Sequence, residues 1–92
     1  MQKTFTFYSD PGHGWMKVHR QDLRTLGLIL KISPYSYMRG EYAYLEEDLD
    51  ASVFIEAFRQ TFGETPKFRE ENTNKYSKIR GYDHYSAEVF NG

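Results

Sequence analysis

Residues 8–18, YSDPGHGWMKV, leave the backbone few paths, because a proline, two glycines and an aspartate stand between two segments of strict alternation. Asp10 can bond its own backbone two residues on, Pro11 presets φ for the first central turn position, and Gly12 is expected to take a positive φ at the second. Gly14, beside Trp15, marks a bulge or a close approach of the backbone to another group. Upstream, Phe5 and Phe7 share one face and Thr4 and Thr6 the other, the period of two that defines a half-buried strand. Downstream, Met16 and Val18 oppose Trp15, Lys17 and His19, so the whole reads as a β-hairpin.

The remaining elements follow from changes of period. HRQDLRTLGL turns to helical spacing, with Leu23 and Leu26 three apart and a boundary near Gly27; LILKIS continues it or forms an extended link. In YSYMRGEYAYLEE, Tyr35 and Tyr37 alternate with Ser36 and Met38, and Tyr42 and Tyr44 with Ala43 and Leu45, around an Arg39-Gly40 connection: a second hairpin with four tyrosines laddered along one side. DLDASVFIEAFRQTFGETP predicts the main helix, with Asp48 or Asp50 as N-cap, Val53, Phe54, Ala57, Phe58 and Phe62 on one face, and Gly63 past its end. Residues 67–92 are polar, yet Tyr76, Ile79, Tyr82, Tyr85 and Phe90 are too many apolar anchors for a solvated tail. KYSKIRGYDHY reads as a further strand or an arm docked on a sheet edge. The expected fold is a single small α+β domain: an antiparallel sheet of two hairpins, a short helix between them, and one main helix packed on the sheet. Residues 1–66 form its core, with a C-terminal extension over 67–92 partly ordered on it.

Composition narrows the chemistry. Twelve basic and thirteen acidic side chains give a formal net charge of -1, which supplies neither the basic footprint of a dedicated duplex binder nor the acidic excess of a nucleic-acid mimic. Without cysteine there are no disulfides, thiolate zinc sites or thiol catalysis, and an unstapled chain of this size suits a reducing, cytoplasmic setting. The start of the chain has no signal-peptide apolar region, and the longest apolar run, LGLIL, falls far short of the ~20 residues of a membrane span.

Each chemical candidate has a plainer structural reading. The turn does not open into a helix as phosphate-binding loops do, and Ser9, Asp10 and His13 are neighbours along a bend rather than a triad. His13, His19 and His84, with Asp10 and Asp83, lack the spacing of HExxH or of a zinc finger. The acidic run LEEDLD suits a helix start, or else contact with a basic partner surface. Eight Tyr, seven Phe and one Trp are the more informative excess, because tyrosine and tryptophan are the usual anchors of interfaces and also stack bases. No catalytic residue, metal site or cofactor is expected. The candidate contacts are His13 and Trp15 at an exposed loop tip, the ladder Tyr35, Tyr37, Tyr42 and Tyr44, and Lys78, Arg80 and Tyr82.

Four stretches, FYSDPGHGWMKV, ISPYSY, YAYLEED and DASVF, together resemble a family of small, mostly uncharacterised bacteriophage and plasmid proteins that share a YSDPGHGW segment, an IS-x-YSY segment and a YLEED segment. The resemblance covers residues 4–58, stops short of everything after Gly63, and brings no catalytic assignment. It implies an accessory protein of a mobile element: a binder that blocks or redirects a host protein or ribonucleoprotein in the bacterial cytoplasm, inhibitors of CRISPR surveillance complexes among them. The alternative is a nucleic-acid-binding accessory protein, with the tyrosines stacking bases and Lys75, Lys78 and Arg80 on phosphates. Neither partner nor oligomeric state follows from the sequence.

Overall fold

Period-two alternation places both hairpins at the centre of one sheet. In the computed structural model, which describes residues 1–91, β1 (Thr4–Ser9) pairs antiparallel with β2 (Gly14–His19), Phe7 opposite Met16 and Tyr8 opposite Trp15. The second hairpin, β3 (Tyr37–Arg39) and β4 (Tyr42–Glu46), joins the first through β4, with Met16 opposite Leu45 and Val18 opposite Ala43. Gly92, the last residue of the expected extension, lies outside the described residues.

The α+β class is as expected, but the sheet has six strands rather than four and is mixed. β5 (Lys67–Asn72) runs parallel to β1 along one edge, and β6 (Asp83–His84) pairs antiparallel with β3 at the other, giving the order β5-β1-β2-β4-β3-β6. Residues 73–82 therefore cross the sheet from edge to edge as a strap. KFREEN is exposed at every position and has no apolar alternation, so β5 is held mainly by its backbone ladder and by Phe68, edge-on to Phe7.

Pleating divides the side chains between two layers. Phe5, Met16, Val18, Met38, Ala43 and Leu45 face α1 (Arg20–Thr25), α2 (Asp50–Phe62) and α3 (Ala87–Phe90), whose Leu23, Phe54, Phe58 and Phe90 close the main core. Phe5 meets Phe54 and Phe58 edge-on, with ring centroids 5.2 and 6.0 Å away. The opposite face carries Tyr8, Trp15, Tyr37 and Tyr44, where Ile79 and Tyr82 of the strap pack. No helix among the described residues is long and apolar enough to cross a membrane.

Two local expectations are corrected. Neither Asp48 nor Asp50 caps α2: Leu49 occupies the N-cap position, and Asp50 is its first helical residue. The buried Asp50 carboxylate instead accepts from Ser33 N (3.0 Å), Ser33 Oγ (2.6 Å) and Ser36 Oγ (2.5 Å), tying the helix start to the loop before β3. The LILKIS link resolves as a 3-10 turn over Ile29–Lys31. At the other end of α2, Gly63 stands where expected, with φ +72° and its N–H on Arg59 O.

Tyr85 donates its hydroxyl to Ile29 O at 2.6 Å, and burial pushes its pKa up to about 12; burial, aided by neighbouring tyrosines, does the same to Tyr44. A phenol in the unfolded chain titrates near ~10, so the stability these groups contribute is complete below that pH and is lost as pH rises through the folded value. The urea midpoint should accordingly fall between pH 10 and 12. Tyr85→Phe should start from a lower midpoint and show a shallower decline; an unchanged pH dependence in that variant would contradict the assignment to Tyr85.

Candidate recognition cleft

The glycine-rich turn does two jobs. Asp10 Oδ1 accepts from Gly12 N and His13 N, both at 2.9 Å, so the aspartate closes the bend as expected, but Gly12 does not take the expected positive φ, because both backbone donors turn onto one carboxylate oxygen instead. The same carboxylate reaches across the molecule: Oδ2 accepts from Arg80 Nε (2.7 Å) and Ser77 N (3.0 Å), and Oδ1 from Arg80 Nη2 (2.8 Å). This fork latches the strap to the turn. The Arg80 guanidinium, helped by the backbone donors of Ser77, Gly12 and His13 against the cost of burial, holds the Asp10 carboxyl well below the usual carboxylate range.

Gly14 supplies the close approach its position suggested. A Cβ there would lie 2.6 Å from Phe7 Cε1 and 3.0 Å from Glu47 Oε2, so no larger residue fits without displacing the Phe7 ring. Trp15 follows immediately, and its side chain turns to the strap-covered face. Expected at an exposed tip, Trp15 is only 2% exposed, because Ile79 and Arg80 of the strap lie over it.

Latching the strap creates a concave site of about 270 Å³ at this end of the sheet, lined by His13, Trp15, Tyr35, Tyr37, Glu46, Asp48, Arg80 and His84. Five of the nine sequence candidates meet there, drawn from the turn, the second hairpin and the strap. Tyr35 stands 73% exposed in the loop before β3. Tyr37 stacks on His84 with centroids 5.0 Å apart, and the Trp15 indole is edge-on to Tyr37 and tilted against His13. His84 Nδ1 lies 2.8 Å from Pro34 O; because a carbonyl only accepts, this nitrogen carries the proton, leaving Nε2 as an acceptor in the neutral ring. Glu46 Oε2 accepts from Asp48 N at 3.0 Å, which holds the two acidic residues in one tight bend.

The other four candidates separate. Tyr44, Lys78 and Tyr82 line a smaller hollow of about 160 Å³ with Tyr8, Lys17, Ser77 and Ile79, on the far side of the strap. Tyr44 is 8% exposed and packs on Tyr82, so the ladder is part core and part surface. Tyr42 lies farther along β4, half-covered by the Lys17 ammonium 4.2 Å above its ring. His84, Glu46 and Asp48 are the lining residues absent from the sequence-based set. LEEDLD and YDHY flagged them as residue types, but only the pairing of Tyr37 with His84 and of Trp15 with Glu46 brings them together.

Among the described residues no group of three His, Asp or Glu side chains is arranged to hold a metal. His19 is turned to the opposite end of β2, where its Nδ1 accepts from Gln21 N at the start of α1, and Asp10 is engaged by Arg80. Comparison with protein-family models, with curated proteins and with solved structures finds no match to this chain.

Proposed function

We propose that this chain is a non-catalytic recognition protein that captures a protein partner through the cleft between the glycine-rich turn and the strap. The observation that carries the reading is the convergence of His13, Trp15, Tyr35, Tyr37 and Arg80, from three separate segments, on one concave surface. Interface energy concentrates in aromatic and arginine anchors set in such recesses, rimmed by polar groups. Tyr35 is the clearest anchor, since a ring 73% exposed contributes little to the core. The partner class follows the resemblance over residues 4–58: a host protein or ribonucleoprotein of the bacterial cytoplasm, with inhibition of a defence complex as the consequence of binding.

The test is quantitative capture from nuclease-treated bacterial lysate with tagged wild-type protein and Tyr35→Ala. Loss of this anchor should weaken partner binding by ~2 kcal/mol, roughly 30-fold, while folding stability changes by no more than about 0.5 kcal/mol. Equal recovery of the same partner by both proteins would contradict the reading.

A second reading rests on the smaller hollow, where Tyr8, Tyr44 and Tyr82 stand beside Lys17 and Lys78. Phenol rings with flanking ammonium groups suit a nucleic-acid strand. Loss of every captured partner on nuclease treatment would favour it over a protein target.

A further inference from the structure

We infer that the cleft receives an arginine side chain presented by the partner, its guanidinium stacking on the aromatic wall and meeting the carboxylates of Glu46 and Asp48. This rests on the recognition reading above and specifies its chemistry. At about 270 Å³ the space lies below the usual range for a drug-sized ligand, ~300–1,000 Å³, and is on the scale of one long side chain. Its charge is unbalanced in one direction: Arg80 is already forked on Asp10, whereas Glu46 and Asp48 take part in none of the ion pairs among the described residues, which join Lys3 to Glu64, Arg20 to Glu41, Arg59 to Glu56 and Arg80 to Asp10.

Aromatic walls with unpaired carboxylates select a cation, and planar stacking favours guanidinium over ammonium. The fold uses the same contact internally: Arg80 lies 4.4 Å from the Tyr76 ring centroid, and Arg39 5.0 Å from that of Tyr82. Tyr35 and the Tyr37–His84 stack offer equivalent surfaces to an incoming group.

The experiment titrates isotopically labelled protein at pH 8 with N-acetyl-arginine amide and, separately, with its uncharged near-isostere N-acetyl-citrulline amide, following backbone amide and indole resonances by NMR. The arginine probe should give saturable shifts at Trp15, Tyr37, Glu46 and His84. The citrulline probe should bind at least ten-fold more weakly, as should the arginine probe to a Glu46→Gln/Asp48→Asn variant whose circular dichroism matches wild type. Equal binding of both probes, undiminished arginine binding by the double variant, or arginine shifts absent from the cleft, would overturn the inference. The recognition reading stands or falls separately, on whether Tyr35→Ala loses the captured partner.

Discussion

Trp15→Ala should cost about 3–5 kcal/mol of folding stability, the range for emptying a buried large aromatic site. The indole is 2% exposed and packs with Tyr44, Tyr37 and Ile79, so its removal leaves a void between sheet and strap. Against the 5–15 kcal/mol typical of a whole domain, that is a large fraction of the total. Urea unfolding followed by circular dichroism measures it directly. A loss below about 1 kcal/mol would mean that the strap is not packed on the indole, and that Trp15 belongs with the exposed contacts. Stability and binding should thus separate along the cleft: Trp15 supports its floor, whereas Tyr35 offers a free surface.

The second large effect falls on the strap. Asp10→Asn keeps one oxygen to close the turn but sets an amide group against Arg80 Nε and Ser77 N, where the aspartate presents a second acceptor. Amide hydrogen exchange at Ile79 and Tyr82 should accelerate by roughly ten-fold or more, since these groups are protected by the local turn that the latch holds down. Exchange at Phe54 and Phe58, in the main core, should change far less. Because the Asp10 pKa is depressed in the folded state, the stability it confers is complete above the unfolded value near ~3.9 and is lost only as pH falls through the lower folded value. The wild-type strap should therefore remain protected at pH 4, after allowance for intrinsic exchange rates. Unaltered protection of Ile79 and Tyr82 in Asp10→Asn would show that the latch does not hold the strap.

Local patterns wrote the centre of this molecule plainly. Alternation at Phe5, Phe7, Met16 and Val18 set both the first hairpin and the face it buries, and the phenylalanines of α2 at 3–4 spacing set the helix that covers it. What lay outside that reach depends on partners distant in sequence. β5 alternates no apolar residues, and its parallel register against β1 needs a connection through the whole of α2. The strap is fixed by Asp10, nearly seventy positions upstream, so its neighbours gave no signal of the crossing. Asp50 has the residue type of an N-cap, but a buried carboxylate gains more from three serine donors than from the helix end.

The cleft was legible in its residue types and illegible in its assembly. The turn announced His13 and Trp15, the tyrosine alternation announced Tyr35 and Tyr37, and the basic run announced Arg80. Which of these would meet depends on where the strap lies. The indole exchanged an exposed place for a buried one when Ile79 and Arg80 came over it, and Glu46 and His84 became lining residues through strand register alone.

The most direct measurement of the recognition surface is site-specific photo-crosslinking in nuclease-treated bacterial lysate, with benzoylphenylalanine placed at Tyr35 in one protein and at Leu30 in another. Leu30 is 84% exposed but stands outside the cleft, within the 3-10 turn over Ile29–Lys31. A discrete protein adduct from position 35, absent from position 30 and suppressed by excess unlabelled wild-type protein, is the result expected if the cleft is the contact surface. Adducts from position 30 with none from position 35 would place recognition elsewhere and contradict it.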